Sequence, residues 1–379
     1  SLKANLASGK PVKIICFGDS VTGLYYHTGG RRTYTDMLGF ALRKSFSNAN
    51  VTMRNAGISG NTTTAGLKRI ERDVLAHKPD LVTVMFGLND MVRVPLETYR
   101  KNLEEMVDRC REGGARVILC TPNAVVDTSS RPTGKLLQYC TAVRKVAQSR
   151  KVSLCDTYVA FDELRKRDRL TWRLMMSDEI HPNMAGHKFI AEEIARAIFG
   201  KAVSIADVAP PVPAIPKVKA MLKNDKTIRV LAMPPFDKLI KTALTQEGSM
   251  AAIEVISWAT AGQSLKQLER DAQQRVRKMK PDLVVIAVPR DAAFASQEEF
   301  IRATSWIMNW SLSFGRQEWD CVVIHPSVAE GKSDDLSRDD LIRRLVAAQD
   351  LSLIDRDSGD RASAAEISGK WFRVQLALP

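Results

Sequence analysis

Short, continuous apolar runs alternate with longer amphipathic stretches along the whole first half of this chain. The apolar runs fall at residues 12–17, 51–55, 81–86, 117–121 and 152–156. A strand that is apolar at every position is typical of a sheet buried on both faces, as in parallel sheets covered by helices. The stretches between the runs carry helical spacing at residues 33–46, 63–77, 96–112, 134–149 and 184–198. This alternation predicts a doubly wound α/β domain, with a parallel sheet flanked by helices in three layers.

The pattern breaks at residues 201–226 and then begins again. Four prolines, Pro210, Pro211, Pro213 and Pro216, interrupt this stretch and predict a linker, since proline cannot continue a helix or a central strand. Further apolar runs follow at residues 228–233, 253–258, 283–288, 321–325 and 351–355. We therefore expect a domain at 1–200, a Pro-rich linker at 201–226 and a second domain at 227–379.

The second domain repeats the first at the level of residues. The sequence KPDLV at 78–82 recurs at 280–284, and at the same offset Gly60 corresponds to Gly262. This matched recurrence at strand entries predicts two copies of one fold. The alternative is two unrelated α/β domains whose helices lead into strands in a similar way.

Charge and hydropathy narrow the classes of function. The net charge is +13, and it is concentrated in residues 1–200, which hold 31 Lys+Arg against 20 Asp+Glu; the remainder holds 25 and 23. A basic half can attract an acidic substrate, although a solvated surface also accounts for it. No apolar run approaches the roughly 18 residues of a membrane span. We expect a soluble protein, and an export leader removed before residue 1 stays open.

Nucleic acid and bound metal are not expected as partners. The chain has no zinc-finger spacing, no aromatic RNA-binding motif and no basic tail. Its five histidines form no ligand cluster, because His181 and His187 are six residues apart and face different sides of a helix. We therefore assign no metal and no cofactor.

Four polar segments in the first half stand where loops should meet. FGDS at 17–20 follows the first strand, ISGN at 58–61 the second and GLND at 87–90 the third, while DEIHPN at 178–183 precedes the last helix. Loops at the carboxyl ends of parallel strands converge on one crevice. The four segments should therefore line one site.

The residue types in these segments suit acyl transfer. A serine hydroxyl is a weak nucleophile until a base takes its proton, and His181 can do this for Ser20 while Asp178 orients the imidazole. An oxyanion needs preorganised donors, which the backbone N–H groups of Ser20 and Gly60 and the side-chain amide of Asn89 can provide.

The order GDS, ISGN, GLND and DEIHP resembles the GDSL/SGNH hydrolase family over roughly residues 12–200. The resemblance implies a flavodoxin-like fold, with Ser20 as nucleophile, Gly60 and Asn89 as oxyanion donors, and Asp178 and His181 completing the triad. Val21 follows the GDS where the family name has leucine. The fold class expected for the whole chain is thus α/β, with two flavodoxin-like, SGNH-type domains.

Candidates for substrate contacts are less constrained by pattern. They are Asp19 beside the nucleophile, His27 in the loop that follows it, Asn123 after the fourth strand, and Trp172 before the triad acid. His27 could equally belong to an exposed loop, and Trp172 could stack on a sugar or pack in the core.

The second copy lacks these groups. Residues 234–236 read PPF where the first half has GDS, residues 289–292 read PRDA where it has GLND, and residues 355–370 contain no histidine. We expect residues 227–379 to be a degenerate, inactive SGNH-like domain.

The expected activity is hydrolysis of short acyl esters, with acetyl favoured. The expected substrate is a small ester or an acetylated carbohydrate, and the basic first half of the chain leaves an acidic one open. Two alternatives remain: an O-acyltransferase with the same triad, and a non-enzymatic carbohydrate-binding protein. The sequence leaves the oligomeric state open.

Overall fold

The computed structural model describes residues 2–245, 250–333 and 335–378, and it divides the chain into two compact units. The first unit comprises the residues up to Leu24 together with Arg32–Val208. The second comprises Tyr25–Arg31 together with the residues from Ala209 onward. The chain thus leaves the first unit five residues after Ser20, spends residues 25–31 in the second, and returns at Arg32.

The described part of the first unit is built on a five-stranded parallel sheet in the order β2-β1-β3-β4-β5. The central strands β1, β3 and β4 are almost wholly buried, as their continuous apolar sequences predict. The strands are β1 (Val12–Gly18), β2 (Val51–Gly57), β3 (Leu81–Met85), β4 (Arg116–Cys120) and β5 (Ser153–Cys155).

Helices cover this sheet, and polar side chains set where several of them begin. Thr33 and Asp36 form a reciprocal capping box on α2, and Asp156 and Asp168 cap α7 and α8. The helices are α1 (Leu2–Ala7), α2 (Tyr34–Ser45), α3 (Thr63–Asp73), α4 (Asp90–Arg93), α5 (Leu96–Glu112), α6 (Thr133–Ser149), α7 (Thr157–Arg167), α8 (Arg169–Leu174) and α9 (Met184–Phe199).

The second unit repeats this topology. Its described strands form a parallel sheet in the order β10-β9-β8-β6-β7, which is the same order in reverse listing. The strands are β6 (Ile228–Ala232), β7 (Ile253–Ser257), β8 (Leu283–Ile286), β9 (Asp320–Ile324) and β10 (Leu353–Ile354). The helices are α10 (Pro216–Lys223), α11 (Phe236–Leu244), α12 (Leu265–Met279), α13 (Gln297–Trp310), α14 (Pro326–Glu330), α15 (Leu336–Ala348) and α16 (Ala364–Ala377).

The stretch expected to be a linker is partly helical. Helix α10 begins at Pro216, and residues from Ala209 onward pack as part of the second unit. Proline is excluded from a helix interior but suits the first turn, where its missing N–H has no helical partner to lose. A cluster of prolines can therefore precede a helix as well as separate two domains.

The expected fold class is confirmed: the chain forms two flavodoxin-like α/β domains, each a parallel sheet flanked by helices. In the first unit the strand order reverses direction between β1 and β3. Loops that leave these two strands diverge, and the crevice between them is where ligands bind in this fold.

Across the described residues, no helix has both the length and the apolar character needed to cross a membrane.

Candidate active site

A tight turn after β1 presents Ser20. The Asp19 side chain accepts a hydrogen bond from the Val21 N–H at 3.0 Å, and the Asp19 carbonyl accepts from the Thr22 and Gly23 N–H groups at 3.2 and 3.0 Å. Gly18 permits this turn, because a Cβ there would lie 2.5 Å from the Met85 carbonyl oxygen on β3. The loop that carries Ser20 is therefore fixed by backbone geometry next to the β1–β3 crevice.

Ser20, His181 and Asp178 form one hydrogen-bonded chain. Ser20 Oγ lies 2.8 Å from His181 Nε2, and His181 Nδ1 lies 2.8 Å from Asp178 Oδ2. The other carboxylate oxygen of Asp178 accepts the N–H groups of Ile180 and His181 at 2.9 and 2.8 Å. Serine and aspartate thus lie on opposite ring nitrogens, which is the arrangement a general base needs.

The surroundings of His181 favour proton acceptance. Burial by itself would lower the pKa of the imidazole, but the adjacent Asp178 carboxylate outweighs it, and the His181 pKa stands above its ordinary value. Such a base is stronger than a free histidine, which suits it to take the proton of Ser20.

Donors for an oxyanion lie on the two neighbouring loops. Asn89, only 8% exposed, donates one amide hydrogen to the Asn61 carbonyl at 3.0 Å, which leaves its second amide hydrogen for a ligand. Gly60 has a φ of +73°, a conformation that favours glycine, and no atom lies within 4 Å of where its Cβ would be. Among the described residues its N–H donates to no protein acceptor.

Asp90 holds the Asn89 loop to helix α3. Its Oδ1 accepts the Thr63 N–H and the Thr63 hydroxyl at 2.8 and 2.5 Å, at the start of that helix. Asp90 is fully buried, and burial raises the pKa of its carboxyl group. The GLND segment therefore supplies one residue to the crevice and one to the helix cap.

Arg69, which the sequence analysis did not select, joins the first two loops. It lies on α3 and is 7% exposed. Its guanidinium donates to the Gly18 carbonyl, the Ala56 carbonyl and Asn61 Oδ1, each at 2.8 Å, and pairs with Asp73 at 3.0 Å. One planar group thus fixes the loop before Ser20 relative to the loop after Gly60.

The loop that carries Asp178 and His181 is held by backbone contacts from the chain after β4. Asn123 donates its side-chain amide to the Ile180 carbonyl at 3.1 Å, and the Val126 N–H donates to the Glu179 carbonyl at 2.9 Å. Asn183 caps α9 directly after this loop. These bonds keep His181 facing Ser20.

The four residues expected to contact substrate are all buried. Asp19 and Asn123 are 2% and 0% exposed. Asp19 accepts hydrogen bonds within the turn after β1, and Asn123 donates to the loop that carries Asp178 and His181. Trp172 is 4% exposed beneath the Arg165 guanidinium, so neither face of its ring is open to a sugar. His27 belongs to the second unit, where it is 1% exposed beside the rings of Tyr25 and Tyr26.

Asp19 has a further property. Burial raises the pKa of its carboxyl group to about 7, even though the Val21 N–H favours the ionised form. The Asp19 carboxyl group, which lies beside Ser20, is therefore only partly ionised near neutral pH.

His187 is excluded as an alternative base by its contacts. It is fully buried and accepts the Tyr34 N–H on Nδ1 at 2.8 Å, and burial lowers its pKa to about 3. In the described parts of the chain, no group of three or more His, Cys, Asp or Glu residues is placed to hold a metal ion.

Known proteins resemble the part of the chain that holds this site. A model described as the GDSL-like lipase/acylhydrolase family matches residues 16–189. An acetylxylan esterase from Geobacillus stearothermophilus is 29% identical over 215 residues, covering 50% of this chain and 95% of that protein. An arylesterase from Vibrio mimicus is 27% identical, covering 51% of this chain and 90% of that protein.

Solved structures give a similar alignment. The crystal structure of a lipase/acylhydrolase from Enterococcus faecalis is 28% identical over 51% of this chain and 97% of that one, with a TM-score of 0.44.

Proposed function

Residues 16–189 belong to the GDSL-like lipase/acylhydrolase family, and on this premise we propose that the protein is a serine esterase that cleaves acetyl and other short acyl esters through an acyl-serine intermediate. The observation that carries the mechanism is the hydrogen-bonded chain from Ser20 through His181 to Asp178, with donors on the neighbouring loops. Carboxylic ester hydrolysis itself agrees with the names of the relatives.

In the acylation step, Ser20 Oγ attacks the ester carbonyl carbon while its proton moves to His181 Nε2. The carbonyl oxygen becomes an oxyanion, which the N–H groups of Ser20 and Gly60 and the free amide hydrogen of Asn89 stabilise. When the intermediate collapses, the C–O bond to the alcohol breaks and His181 returns its proton to the departing oxygen. The products are the alcohol and an acyl ester of Ser20.

In the deacylation step, a water molecule takes the place of the alcohol. His181 removes a proton from this water as its oxygen attacks the acyl carbon, the same donors stabilise the second oxyanion, and the Ser20–acyl bond breaks with return of the proton to Oγ. Asp178 stays ionised throughout and stabilises the imidazolium that forms twice in each cycle.

We propose that the substrate is an ester between a short acyl group and a carbohydrate hydroxyl. The relative named an acetylxylan esterase supports both parts. We further propose that residues 227–379 are catalytically inactive, because the second unit carries proline at 234, 235 and 289 where the first carries the nucleophile and amide loops.

The test measures hydrolysis of p-nitrophenyl acetate, butyrate and octanoate, and acetate release from acetylated xylo-oligosaccharides. We expect acetate to be the best of the three and Ser20→Ala to lower kcat/KM by at least about 10³. Ser149→Ala, at the end of α6, is the matched control and should retain wild-type rates. An equal rate in Ser20→Ala would exclude Ser20 as the nucleophile.

The same experiment separates the remaining alternatives. Acyl transfer to an added sugar in preference to water would identify an O-acyltransferase. Absence of turnover on every ester, with retained sugar binding, would identify a carbohydrate-binding protein.

A further inference from the structure

Two arginines beside the site have no carboxylate partner within the part of the chain that the structure describes. Arg93 ends helix α4, four residues after Asn89, and Arg131 lies on the chain between β4 and α6. Neither guanidinium has a carboxylate oxygen within 4 Å among the described residues of this chain, although the other arginines of the first unit include many paired ones, such as Arg69, Arg100 and Arg144.

Arg93 lies against the oxyanion loop. Its Nη2 donates to the Gly60 carbonyl oxygen at 2.6 Å, and the rest of the side chain is exposed. This bond uses one of five N–H donors, so most of the guanidinium faces outward beside the proposed oxyanion donors.

Arg131 lies on the segment that supports the triad loop. That segment bonds to the triad loop through Val126 and Glu179, and a turn closed by mutual hydrogen bonds of Thr128 and Arg131 follows. Arg131 Nε is buried and has no hydrogen-bond acceptor among the residues described, and Nη1 donates to the Ser130 carbonyl at 3.0 Å. The guanidinium is thus half-buried and incompletely bonded.

The two cations influence each other and the catalytic base. Burial lowers the pKa of Arg131, the positive charge of Arg93 lowers it further, and Arg131 in turn opposes protonation of His181. Holding two like charges near each other raises the free energy of the folded protein. The acidic groups that act on them, Asp19 on Arg131 and Asp90 on Arg93, are buried carboxyl groups whose pKa values burial raises. Asp19, the acidic group nearest to Ser20 in sequence, is only partly ionised near neutral pH and cannot neutralise both.

We propose that Arg93 and Arg131 bind a carboxylate on the substrate, so that the preferred ester belongs to an acidic molecule such as an acetylated uronic acid. This inference rests on the proposed esterase function. Arginine donates paired hydrogen bonds to a carboxylate, which fits a uronic acid group next to an acetylated hydroxyl. The basic first half of the chain would then draw such a substrate toward the site.

The test compares 4-acetoxybenzoate with 4-acetoxybenzamide, which carry the same acetyl ester and differ in charge. We expect the wild-type kcat/KM to be higher for the carboxylate, and the carboxylate-to-carboxamide ratio to fall roughly tenfold in Arg131→Gln and in Arg93→Gln. Raising the salt concentration should lower the same ratio in the wild type. Arg116→Gln, an exposed arginine at the amino end of β4, is the matched control and should keep the wild-type ratio.

The outcomes distinguish failure of the carboxylate site from failure of the esterase function. Turnover of the carboxamide with a wild-type ratio near one would overturn the carboxylate site and leave the esterase function intact. Equal losses on both probes in the arginine variants would show that the arginines only support the loops. Hydrolysis of neither probe would count against the esterase function itself. If the variants do not fold, the wild-type ratio and its salt dependence still decide.

Discussion

The two units have similar structures where their parallel strands begin and different ones where the strands end. In both, a lysine with φ of 48° ends a helical segment, Lys78 in the first unit and Lys280 in the second. An aspartate follows whose side chain accepts a strand N–H: Asp80 from Lys13 at 2.7 Å, and Asp282 from Arg229 at 2.8 Å. The repeated KPDLV sequence therefore encodes one way of starting the central strands.

A second shared feature is an arginine–aspartate pair. Arg144 pairs with Asp156 after β5, and Arg343 pairs with Asp355 after β10, each at 2.6 Å. Because the same pair occurs in a unit with the triad groups and in one without them, it serves the fold. Shared structure at equivalent positions supports two copies of one domain.

The differences begin where the chemistry is proposed to occur. Arg69 and Asp73, which hold the site loops in the first unit, correspond at the same offset to Asp271 and Arg275, a surface pair at 3.7 Å on α12. The charges are exchanged, and the guanidinium no longer reaches the loops. A fold can therefore keep its strand order while losing the contacts that preorganise a site.

The second unit does contain a serine, a histidine and an aspartate in contact. Ser327 Oγ lies 2.8 Å from His325 Nδ1, and Asp355 Oδ1 lies 3.2 Å from the same nitrogen, while Nε2 faces the Asp339 carbonyl at 3.2 Å. Serine and aspartate thus share one ring nitrogen, so the aspartate cannot orient a base toward the serine. Residue types alone do not make a triad.

Replacing each histidine should give the largest contrast. We expect His181→Ala to lower kcat/KM at least about 10³-fold, because the general base is lost. His325→Ala should leave kcat of the folded enzyme within about twofold and lower the melting temperature, because a fully buried, hydrogen-bonded side chain is removed. Ester kinetics and thermal melts check both, and a loss of kcat in His325→Ala alone would reverse the assignment of the active unit.

Removing the Arg69 contacts should give the next largest effect. We expect Arg69→Lys to reduce kcat by about 10–100-fold with little change in KM, since a lysine cannot bond both loops at once and small displacements at a reacting centre cost this much. Lys68→Ala, an exposed residue on the same helix, is the control. A rise in KM without a fall in kcat would argue against a positioning role for Arg69.

Removing the arginine–aspartate pair that both units contain should lower the free energy of unfolding to a similar extent in each unit. Asp156→Asn and Asp355→Asn should each reduce the free energy of unfolding by about 2 kcal/mol, because each leaves a partly buried guanidinium without its counter-ion. Chemical denaturation monitored by tryptophan fluorescence and circular dichroism measures this. A large effect in one variant and none in the other would show that the two pairs are not equivalent.

The smallest expected effect is a difference in pH response between the histidines. Only neutral His181 can act as a base, so kcat/KM should fall about tenfold per pH unit below its pKa, with a midpoint above 6.5 because that pKa is raised. Burial lowers the pKa of His325, which should therefore add no second step above pH 6.5. A pH–rate profile from pH 5 to 9 with a midpoint below 6.5 would contradict the proposed Asp178–His181 coupling.

The sheet strands could be predicted because they are buried on both faces and are therefore apolar at each position. The bounds of helices α7 and α8 were not predicted, since their polar sequences lack a long apolar stripe. The Pro-rich stretch at 201–226 was predicted as a linker without helix α10, because proline marks both a helix start and a helix break.

The site was predictable where its chemistry is local in sequence. Ser20, Gly60, Asn89, Asp178 and His181 each stand in a short segment at a strand end or a helix start, and the structure brings these segments together. Arg69 and Asn123 act through carbonyl groups that lie far from them in the chain, so no spacing rule could assign them. The same holds for the segment 25–31, whose partners Gln349 and Arg277 lie in the other half.

The passage of residues 25–31 through the second unit has a consequence for how the protein is made. During synthesis the first unit has all of its own strands once residue 155 has emerged, yet Tyr26 waits for the Gln349 side chain, which appears almost two hundred residues later. At typical translation rates this delay lasts on the order of 10–40 s. The segment that follows Ser20 thus gains its contact with Gln349 only after all five strands of the first unit have been synthesised.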